Sequence, residues 1–584
     1  MRIPVGALDD LKGQGRLLAK VGNHGVCVFW HDGRAYALDD RCPHMGFPLH
    51  RGSVEEGLVT CHWHNARFDL ATGGTLDPFA DDARSFPVEI DGDDVFLVVG
   101  AADGRVEQHR RRLAEGLESG LTLVMAKAVL ALLEAGEPAS SIVRVGLDFG
   151  IANRAPGWGS GLTVLVAMAN LLPHLDPSDR GLALVHGLAF VARDTRGRPP
   201  RFPLAPLGEG DPVAAAAAAG LPVERLTAWY RRFVETRSGD SAERTLATAI
   251  AAGREPSDVA RMMLAAATDH VFLDIGHTVD FTNKAFEALD HVGWERAAAV
   301  LPTLVDQTAA AHRAEEGGRW RHPIDLAALV ARTEERLPGL LAEGAATAAV
   351  GAPFGVDAVA ALAHDVLAED PEAIVAALTG AISAGAAPAQ LGQAVAYAAA
   401  LRIARFHVQN DFGDWDAVHH GFTHANALHQ CLRRHPSPEL VRGVVHAALR
   451  IYLDRFLNVP AARPPTTTTG DLADLRACWD EQGGVDRAGA IAYGYLGGGG
   501  DPSALVAALG HALLAEDAGF HWFQIVEAAV RQFHAWPPGS EEGAMILVAA
   551  ARFLAAHTPT RRELPHVVRT AGRLRRGEDL FEDA

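Results

Sequence analysis

The chain has 584 residues, 48% of them hydrophobic and 21% charged, so its composition is globular and it is too long for one compact core. A formal net charge of −19 argues against binding to nucleic acid or to an anionic membrane surface. No signal-peptide core follows the first residues and no stretch reaches about 18 uninterrupted apolar residues, so we expect a cytoplasmic protein without a membrane span.

The hydrophobic pattern changes once along the chain. Up to residue 101, short segments such as VCVFW (26–30) and RAYALD (34–39) cluster or alternate apolar residues between Gly and Asp turns, which predicts β-strands. A polar segment follows, and Ala/Leu-rich helical patterns then continue to the end. We therefore predict a multidomain protein: a small all-β sandwich at 1–101, a linker at 102–116 and a large all-α domain at 117–584.

Two cysteine–histidine pairs lie in the β-rich part. Cys42 and His44 are separated by one residue, and Cys61 and His64 by two. This is the ligand set of a Rieske [2Fe–2S] centre, in which two thiolates hold one iron and two neutral imidazoles hold the other. Zinc takes the same residue types, but the spacing and the flanking sequences CPH and HWHNARFDL favour the cluster.

With these pairs, residues 1–101 resemble Rieske ferredoxin domains, and the resemblance implies one-electron transfer. High-potential Rieske proteins often carry an additional cysteine in each cluster loop, and neither loop has one here. The resemblance therefore implies a lower-potential centre of the ferredoxin or oxygenase type.

An electron carrier joined to a second domain implies an electron acceptor there, and most of the 27 histidines lie beyond residue 101. The pattern predicts one helix over 257–291. On such a helix His270, Asp274, His277 and Lys284 share one face, since seven residues drift only about 20°. A solvated helix face is the alternative interpretation, but the apolar flanks VFL and AFEAL favour burial.

A second histidine cluster occupies residues 414–430. Asp416, His420 and His424 step by four and share a helix face. His419 is expected to point elsewhere, about 100° round the helix. His186-Gly-Leu-Ala echoes His420-Gly-Phe-Thr, and His364 also lies in an apolar helix, so we expect equivalent helices to bring these side chains into one bundle core.

Two resemblances bear on this helical part. The spacing Asp416-x-x-His419-x-x-x-x-His424 resembles the mononuclear iron motif of Rieske ring-hydroxylating oxygenases. HVFLDIGHTVDF, with Asp416-x-x-x-His420-x-x-Thr423, resembles the questin oxidase-like family over about 180–460. That family implies oxidation of aromatic polyketides at one iron held by several histidines, which a carbamylated lysine can join; the chain has no lysine after His420, which departs from the pattern.

We therefore predict a Rieske-containing oxygenase, either a mono- or a dioxygenase. An NAD(P)H-dependent reductase, directly or through a ferredoxin, supplies electrons. The [2Fe–2S] cluster passes them to a mononuclear non-haem iron that activates O₂ and oxygenates a small aromatic or polycyclic substrate. The alternative is a Rieske electron carrier or redox sensor with a non-catalytic helical docking domain.

The predicted ligands of the second metal are His186, His270, His277, Lys284, His364 and His420. The sequence leaves open whether the metal has further ligands among Asp274, Asp416, His419, His424 and His446. It also leaves open whether Lys284 is carbamylated.

Overall fold

The computed structural model describes residues 1–22, 24–99, 105–466, 469–576, 578 and 580. The chain forms two compact units, one of Met1–Val145 with Glu563–Ala584 and one of Gly146–Arg562. The division falls inside a helix, Ala139–Ala152. The domain limits expected from the sequence, at residues 101 and 116, differ from this division and stay a prediction.

The N-terminal part is built from short antiparallel strands, as the sequence pattern predicted. They are β1 (Arg2–Ala7), β2 (Arg16–Val21), β3 (His24–His31), β4 (Arg34–Asp39), β5 (Ser53–Glu55), β6 (Leu58–Thr60), β7 (Arg67–Asp69), β8 (Ser85–Phe86), β9 (Val88–Asp91) and β10 (Asp94–Val98).

These strands pair into antiparallel sheets with the orders β1–β10–β9, β2–β3–β4–β8 and β5–β6–β7. The interior is apolar and includes Phe29, Leu38 and Phe68, all at most 1% exposed. The loop after β4 and the loop between β6 and β7 carry the two cysteine–histidine pairs. The sheets therefore position both predicted ligand loops.

The rest of the chain is helical, which confirms the predicted fold class. The α-helices are α1 (Leu8–Gln14, between β1 and β2), α2 (Arg105–Ser119), α3 (Thr122–Glu134), α4 (Ala139–Ala152), α5 (Ser160–Leu171), α6 (Arg180–Thr195), α7 (Pro212–Ala219), α8 (Val223–Glu235), α9 (Gly239–Ala251), α10 (Pro256–Thr268), α11 (His277–Val292), α12 (Ala297–Val300), α13 (Val305–Ala310), α14 (Leu326–Val350), α15 (Val356–Asp365), α16 (Pro371–Ser383), α17 (Pro388–Ala404), α18 (Phe412–Arg434), α19 (Pro438–Leu453), α20 (Leu472–Trp479), α21 (Val485–Gly497), α22 (Pro502–Leu514), α23 (Phe520–Phe533), α24 (Glu541–His557) and α25 (Glu563–Arg575).

Most of the segment expected to be a linker is folded. Residues 102–104 lie outside the described part of the chain, but α2 covers Arg105–Ser119 and packs against α3, which in turn packs against α25. Leu113 and Leu117 of α2 are at most 1% exposed, so an apolar side of this polar-looking segment is buried. Three helices therefore belong to the same compact unit as the sheets.

In the second unit, the core lies around helices that are apolar on nearly all sides. Every residue of α17 from Ala394 to Ala404 is buried, and α17 packs along α18. A helix that is hydrophobic all round belongs to the middle of a helical layer rather than its surface. In the described chain, no helix combines the length and hydropathy needed to cross a bilayer.

The single helix expected over 257–291 is broken in the structure. Helix α10 ends at Thr268, a short 3₁₀ turn spans Leu273–Gly276, and α11 begins at His277. Phe272, Asp274 and Ile275 have positive φ angles of 46°, 50° and 50°, which a continuous helix cannot contain. The shared helix face predicted for His270, Asp274 and His277 is therefore wrong.

Helices α11 and α23 bury a row of charged side chains between them. The ammonium of Lys284 pairs with Glu287 at 2.9 Å and with Glu527 at 2.8 Å, and all three side chains are 1% exposed. Arg531 pairs with the same two carboxylates at 2.8 and 3.1 Å. Although burial favours their neutral forms, these cations lower the pKa of Glu287, and the carboxylates raise the pKa of Lys284.

We predict that Lys284→Met lowers the free energy of unfolding of the helical part by about 3 kcal/mol, because it leaves two buried carboxylates with one cation fewer. Denaturant unfolding followed by far-UV circular dichroism measures the change. Arg336→Met, which removes an exposed cation from α14, is the matched control and should alter stability by less than about 0.5 kcal/mol. Wild-type stability of Lys284→Met would contradict the prediction.

Candidate metal centres

The two cysteine–histidine pairs lie on loops that the backbone closes in the same way. The peptide N–H of Gly46 donates to the carbonyl oxygen of Cys42 over 2.8 Å. The peptide N–H of Asn65 donates to the carbonyl oxygen of Cys61 over 2.9 Å. Gly46 and Asn65 have positive φ angles of 86° and 61°, a conformation that glycine and asparagine adopt more readily than other residues. Both cysteines therefore begin equivalent tight turns.

The two thiols lie within hydrogen-bonding reach of each other. The peptide N–H groups two and three residues after each cysteine are directed at its sulfur. The hydrogen bond from Cys42 lowers the pKa of Cys61 to about 6 against the effect of burial, and it raises the pKa of Cys42 itself. Backbone donors of this kind stabilise thiolates, the form in which cysteine binds iron.

The two histidines of these loops complete the donor set. The rings of His44 and His64 lie 4.7 Å apart between centroids. Nδ1 of His44 is buried and has no hydrogen-bond partner among the described residues, while His64 is exposed. Burial lowers the pKa of His44 to about 4, so its imidazole is neutral. Two thiols and two imidazoles, one with an unpaired buried nitrogen, fit the ligands of a Rieske cluster.

A second group of imidazoles meets in the helical unit, where two helices begin beside α18. His420 lies in α18, His277 is the first residue of α11 and His521 is the second residue of α23. Their nearest ring nitrogens all lie within 4.8 Å of one another. The ring centroids of His277 and His420 are 4.9 Å apart, and those of His420 and His521 are 4.7 Å apart. This spacing suits one metal ion bound by three nitrogens.

Backbone carbonyls orient three histidines of α18. Nδ1 of His420 donates to the carbonyl oxygen of Asp416 over 2.6 Å, and Nδ1 of His419 donates to the same oxygen over 3.2 Å. Nδ1 of His424 donates to Gly276 over 3.2 Å. A carbonyl oxygen only accepts, so each Nδ1 carries the proton and each Nε2 keeps its lone pair. All three Nε2 atoms are buried and unpaired in the described structure.

His419 belongs to this cluster, contrary to the prediction that it points away. Its ring centroid lies 4.0 Å from that of His521 and 4.5 Å from that of His420. The side chains of His419, Asp416 and His521 also form a compact group of possible ligand atoms. The angular argument failed because two side chains about 100° apart on one helix can both contact one ring of a neighbouring helix, here the ring of His521.

Asp416 holds His521 in place. Its carboxylate accepts a hydrogen bond from Nδ1 of His521 at 3.2 Å, and this contact lowers the pKa of Asp416. A carboxylate on one ring nitrogen fixes the ring and leaves the other nitrogen for a metal. Burial lowers the pKa of His277 to about 3 and that of His420 to about 4, so both imidazoles are neutral.

The backbone beside His277 is strained. Ile275, a β-branched residue, has a φ of 50°, and Gly276 has a φ of 99°. A Cβ on Gly276 would lie 2.9 Å from Cβ of His424, so only glycine allows this close approach. Strained backbone of this kind clusters at functional sites, where the surrounding structure maintains it.

The structure places the other predicted ligands elsewhere. His186 donates from Nε2 to the carbonyl oxygen of Leu514 at 3.0 Å. His270 lies between Glu315 and Glu235, each at 2.8 Å. His364 is exposed on α15, and Lys284 is held by the two glutamates described above. Four of the six predicted ligands therefore have other partners or lie at the surface, and His277 and His420 come together.

Sequence reasoning did not single out His521 as a candidate ligand. It lies 101 residues beyond His420, in the segment FHWF, and no spacing relates it to the other histidines. The available signal was its position just after Gly519, at the start of an amphipathic helix. His446, also left open as a ligand, pairs through Nε2 with Glu334 at 3.1 Å.

Comparison with known proteins identifies the first of these centres. The family model described as "Rieske [2Fe-2S] domain" matches residues 1–87, which contain both cysteine–histidine pairs. The chain therefore belongs, through this segment, to the Rieske [2Fe–2S] family.

Individual relatives are similar to the chain over short lengths. The chain is 35% identical over 98 residues to the "p-cumate 2,3-dioxygenase system, ferredoxin component" of Pseudomonas putida, covering 16% of this chain and 83% of that one. It is 41% identical over 76 residues to a human "Rieske domain-containing protein", covering 12% of this chain and about half (48%) of that protein. The "Ferredoxin of carbazole 1,9a-dioxygenase" from Nocardioides aromaticivorans IC177 is 26% identical, with a TM-score of 0.17, and covers 17% of this chain and 99% of that one.

We predict that purified protein is brown and gives the reduced-state EPR signal of a Rieske centre. His64→Ala should abolish that signal, because it removes one of the two nitrogen ligands. His62→Ala, which changes an equally exposed histidine of the same loop, is the control and should keep it. A Rieske signal that persists in His64→Ala would contradict the ligand assignment.

Proposed function

We propose that this protein is an oxygenase in which the Rieske domain delivers electrons to a mononuclear non-haem iron held by His277, His420 and His521. The observation that carries the proposal is the convergence of these three imidazoles, with ring nitrogens within 4.8 Å of one another. His419 and Asp416 border the same site. Iron bound by imidazoles with open coordination positions supplies O₂ activation.

The protein's own residues prepare this site. Backbone carbonyls fix the tautomer of the α18 histidines, and Asp416 fixes the ring of His521. The buried Nε2 of His420 has no hydrogen-bond partner among the described residues, which is costly, and a metal ion would provide one. By contrast, Nε2 of His186 in α6 is hydrogen-bonded to the carbonyl oxygen of Leu514.

Aromatic side chains next to the cluster support an aromatic or polycyclic substrate. The ring of Phe281 lies 5.1 Å from that of His277, and the ring of Phe520 lies 5.8 Å from it. The two phenylalanines pack edge to face at 6.0 Å. Flat apolar surfaces of this kind bind aromatic rings by stacking and by excluding water. The resemblance to questin oxidase-like proteins favours the same substrate class.

The electron partner follows from the Rieske domain. Such a domain carries one electron at a time, so it needs a donor, and we propose an NAD(P)H-dependent reductase, acting directly or through a ferredoxin. A relative named as the ferredoxin component of a dioxygenase system supports a place for this domain in oxygenase chemistry. We further propose that the protein acts in the cytoplasm.

Iron analysis of anaerobically purified protein tests the proposal. We expect about three iron atoms per chain, two in the cluster and one in the helical unit. His420→Ala and His521→Ala should each lower the content to about two and abolish reductant-driven O₂ uptake with anthraquinone-type substrates, while the Rieske EPR signal remains.

His364→Ala is the matched control, because it removes an exposed histidine of the same unit. It should keep about three iron atoms per chain, as the wild type does. Wild-type protein with about two iron atoms and an intact Rieske signal would overturn the oxygenase proposal and favour an electron carrier or redox sensor.

A further inference from the structure

Lys127 is a buried lysine that contacts one of the cluster loops. It lies in α3, 40 residues beyond the segment that matches the Rieske family, and it is 8% exposed. Its ammonium donates to the carbonyl oxygen of Pro43 and, at 2.9 Å, to that of His44. These are the two residues that follow Cys42, so a cation from a helix holds the backbone of a ligand loop.

Asp81 provides the third partner of this ammonium, at 3.4 Å. A protonated lysine has three N–H donors, and three acceptor oxygens surround Nζ here. This arrangement gives every donor of the charged form an acceptor. Burial lowers the pKa of Lys127, and the carboxylate of Asp81 opposes that effect.

A second cation lies behind the first. Arg112 of α2 donates to Asp81 through Nε at 3.0 Å and to the carbonyl oxygen of Ala80 at 2.8 Å. Asp81 is therefore shared by two cations, and Glu115, whose side chain is 44% exposed, also pairs with Arg112. Within this group, Lys127 is the residue whose hydrogen bonds reach the cluster loop.

We propose that Lys127 sets the reduction potential of the Rieske centre by stabilising its reduced form. Reduction adds one electron from the external donor to the iron pair; two ferric ions, two sulfides and two thiolates carry no net charge, and the reduced centre carries one negative charge. A buried cation next to a ligand loop attracts that added charge through a medium of low dielectric constant. Lys127 is thus a positioning residue that acts on the cluster through charge and through the backbone of His44.

A redox titration of the full-length protein, followed by the Rieske EPR signal, tests the proposal. Lys127→Met should lower the ratio of reduced to oxidised cluster at a fixed potential about tenfold, which for one electron is a shift of about 59 mV to lower potential. Asp81→Asn should change that ratio in the opposite direction, because it removes the negative charge that offsets Lys127. Lys127→Arg should stay within about threefold of the wild type.

Lys20→Met is the matched control, because it removes the same charge from an exposed position in the strands of the same unit. It should change the ratio less than twofold. An unchanged potential in Lys127→Met would overturn the proposal. The proposal would also be overturned if Lys127→Met and Asp81→Asn shifted the reduction potential in the same direction. Loss of a positive and of a negative charge should have opposite effects, whereas loosening of the loop should act alike in both variants.

If Lys127→Met fails to retain its cluster, the reduction potentials of Asp81→Asn and Lys127→Arg test the proposal instead. A potential that does not rise in Asp81→Asn would then overturn the proposal. The measurement concerns the [2Fe–2S] centre alone, so its outcome is independent of whether the helical unit binds iron.

Discussion

Ligand atoms are useful to a metal only if they are held with a free lone pair, and in both candidate centres backbone hydrogen bonds do this. Peptide N–H groups directed at Cys42 and Cys61 stabilise their thiolates. In the helical unit the backbone accepts instead of donating. Carbonyl oxygens accept hydrogen bonds from Nδ1 of His420 and His424, which leaves the lone pair of each Nε2 free. The peptide N–H groups of tight turns in one unit and the backbone carbonyls of Asp416 and Gly276 in the other therefore determine which side-chain atoms are available.

The broken helix before α11 shows how this constraint shapes the fold. The carbonyl oxygen of Gly276 reaches Nδ1 of His424 because residues 272–276 leave the helical path. The positive φ angle of Ile275 costs energy that nearby packing must offset, and the benefit is a helix that begins at His277 beside α18.

The sequence correctly predicted the fold classes and the Rieske segment, because both depend on local patterns. Apolar residues alternate along strands and recur every three or four residues along helices. Cys42 and Cys61 each lie within three residues of their histidine partner. The second centre depends on contacts between α11, α18 and α23, so spacing along the chain carried little information about it. His521 illustrates the limit, since its position near the start of an amphipathic helix does not by itself set it apart from His364, which is exposed on its helix.

The compact unit around the Rieske segment is larger than its family match. That match ends at residue 87, whereas the residues that contact the first cluster loop include Lys127 of α3 and Leu574 of α25. A Cβ on Gly46 would lie 3.1 Å from Cδ2 of Leu574, so the loop and the C-terminal helix fit closely. Family similarity therefore predicts which atoms bind the irons. The charge and packing around that loop come from helices distant in sequence, and those helices distinguish this Rieske centre from the bare ligand motif.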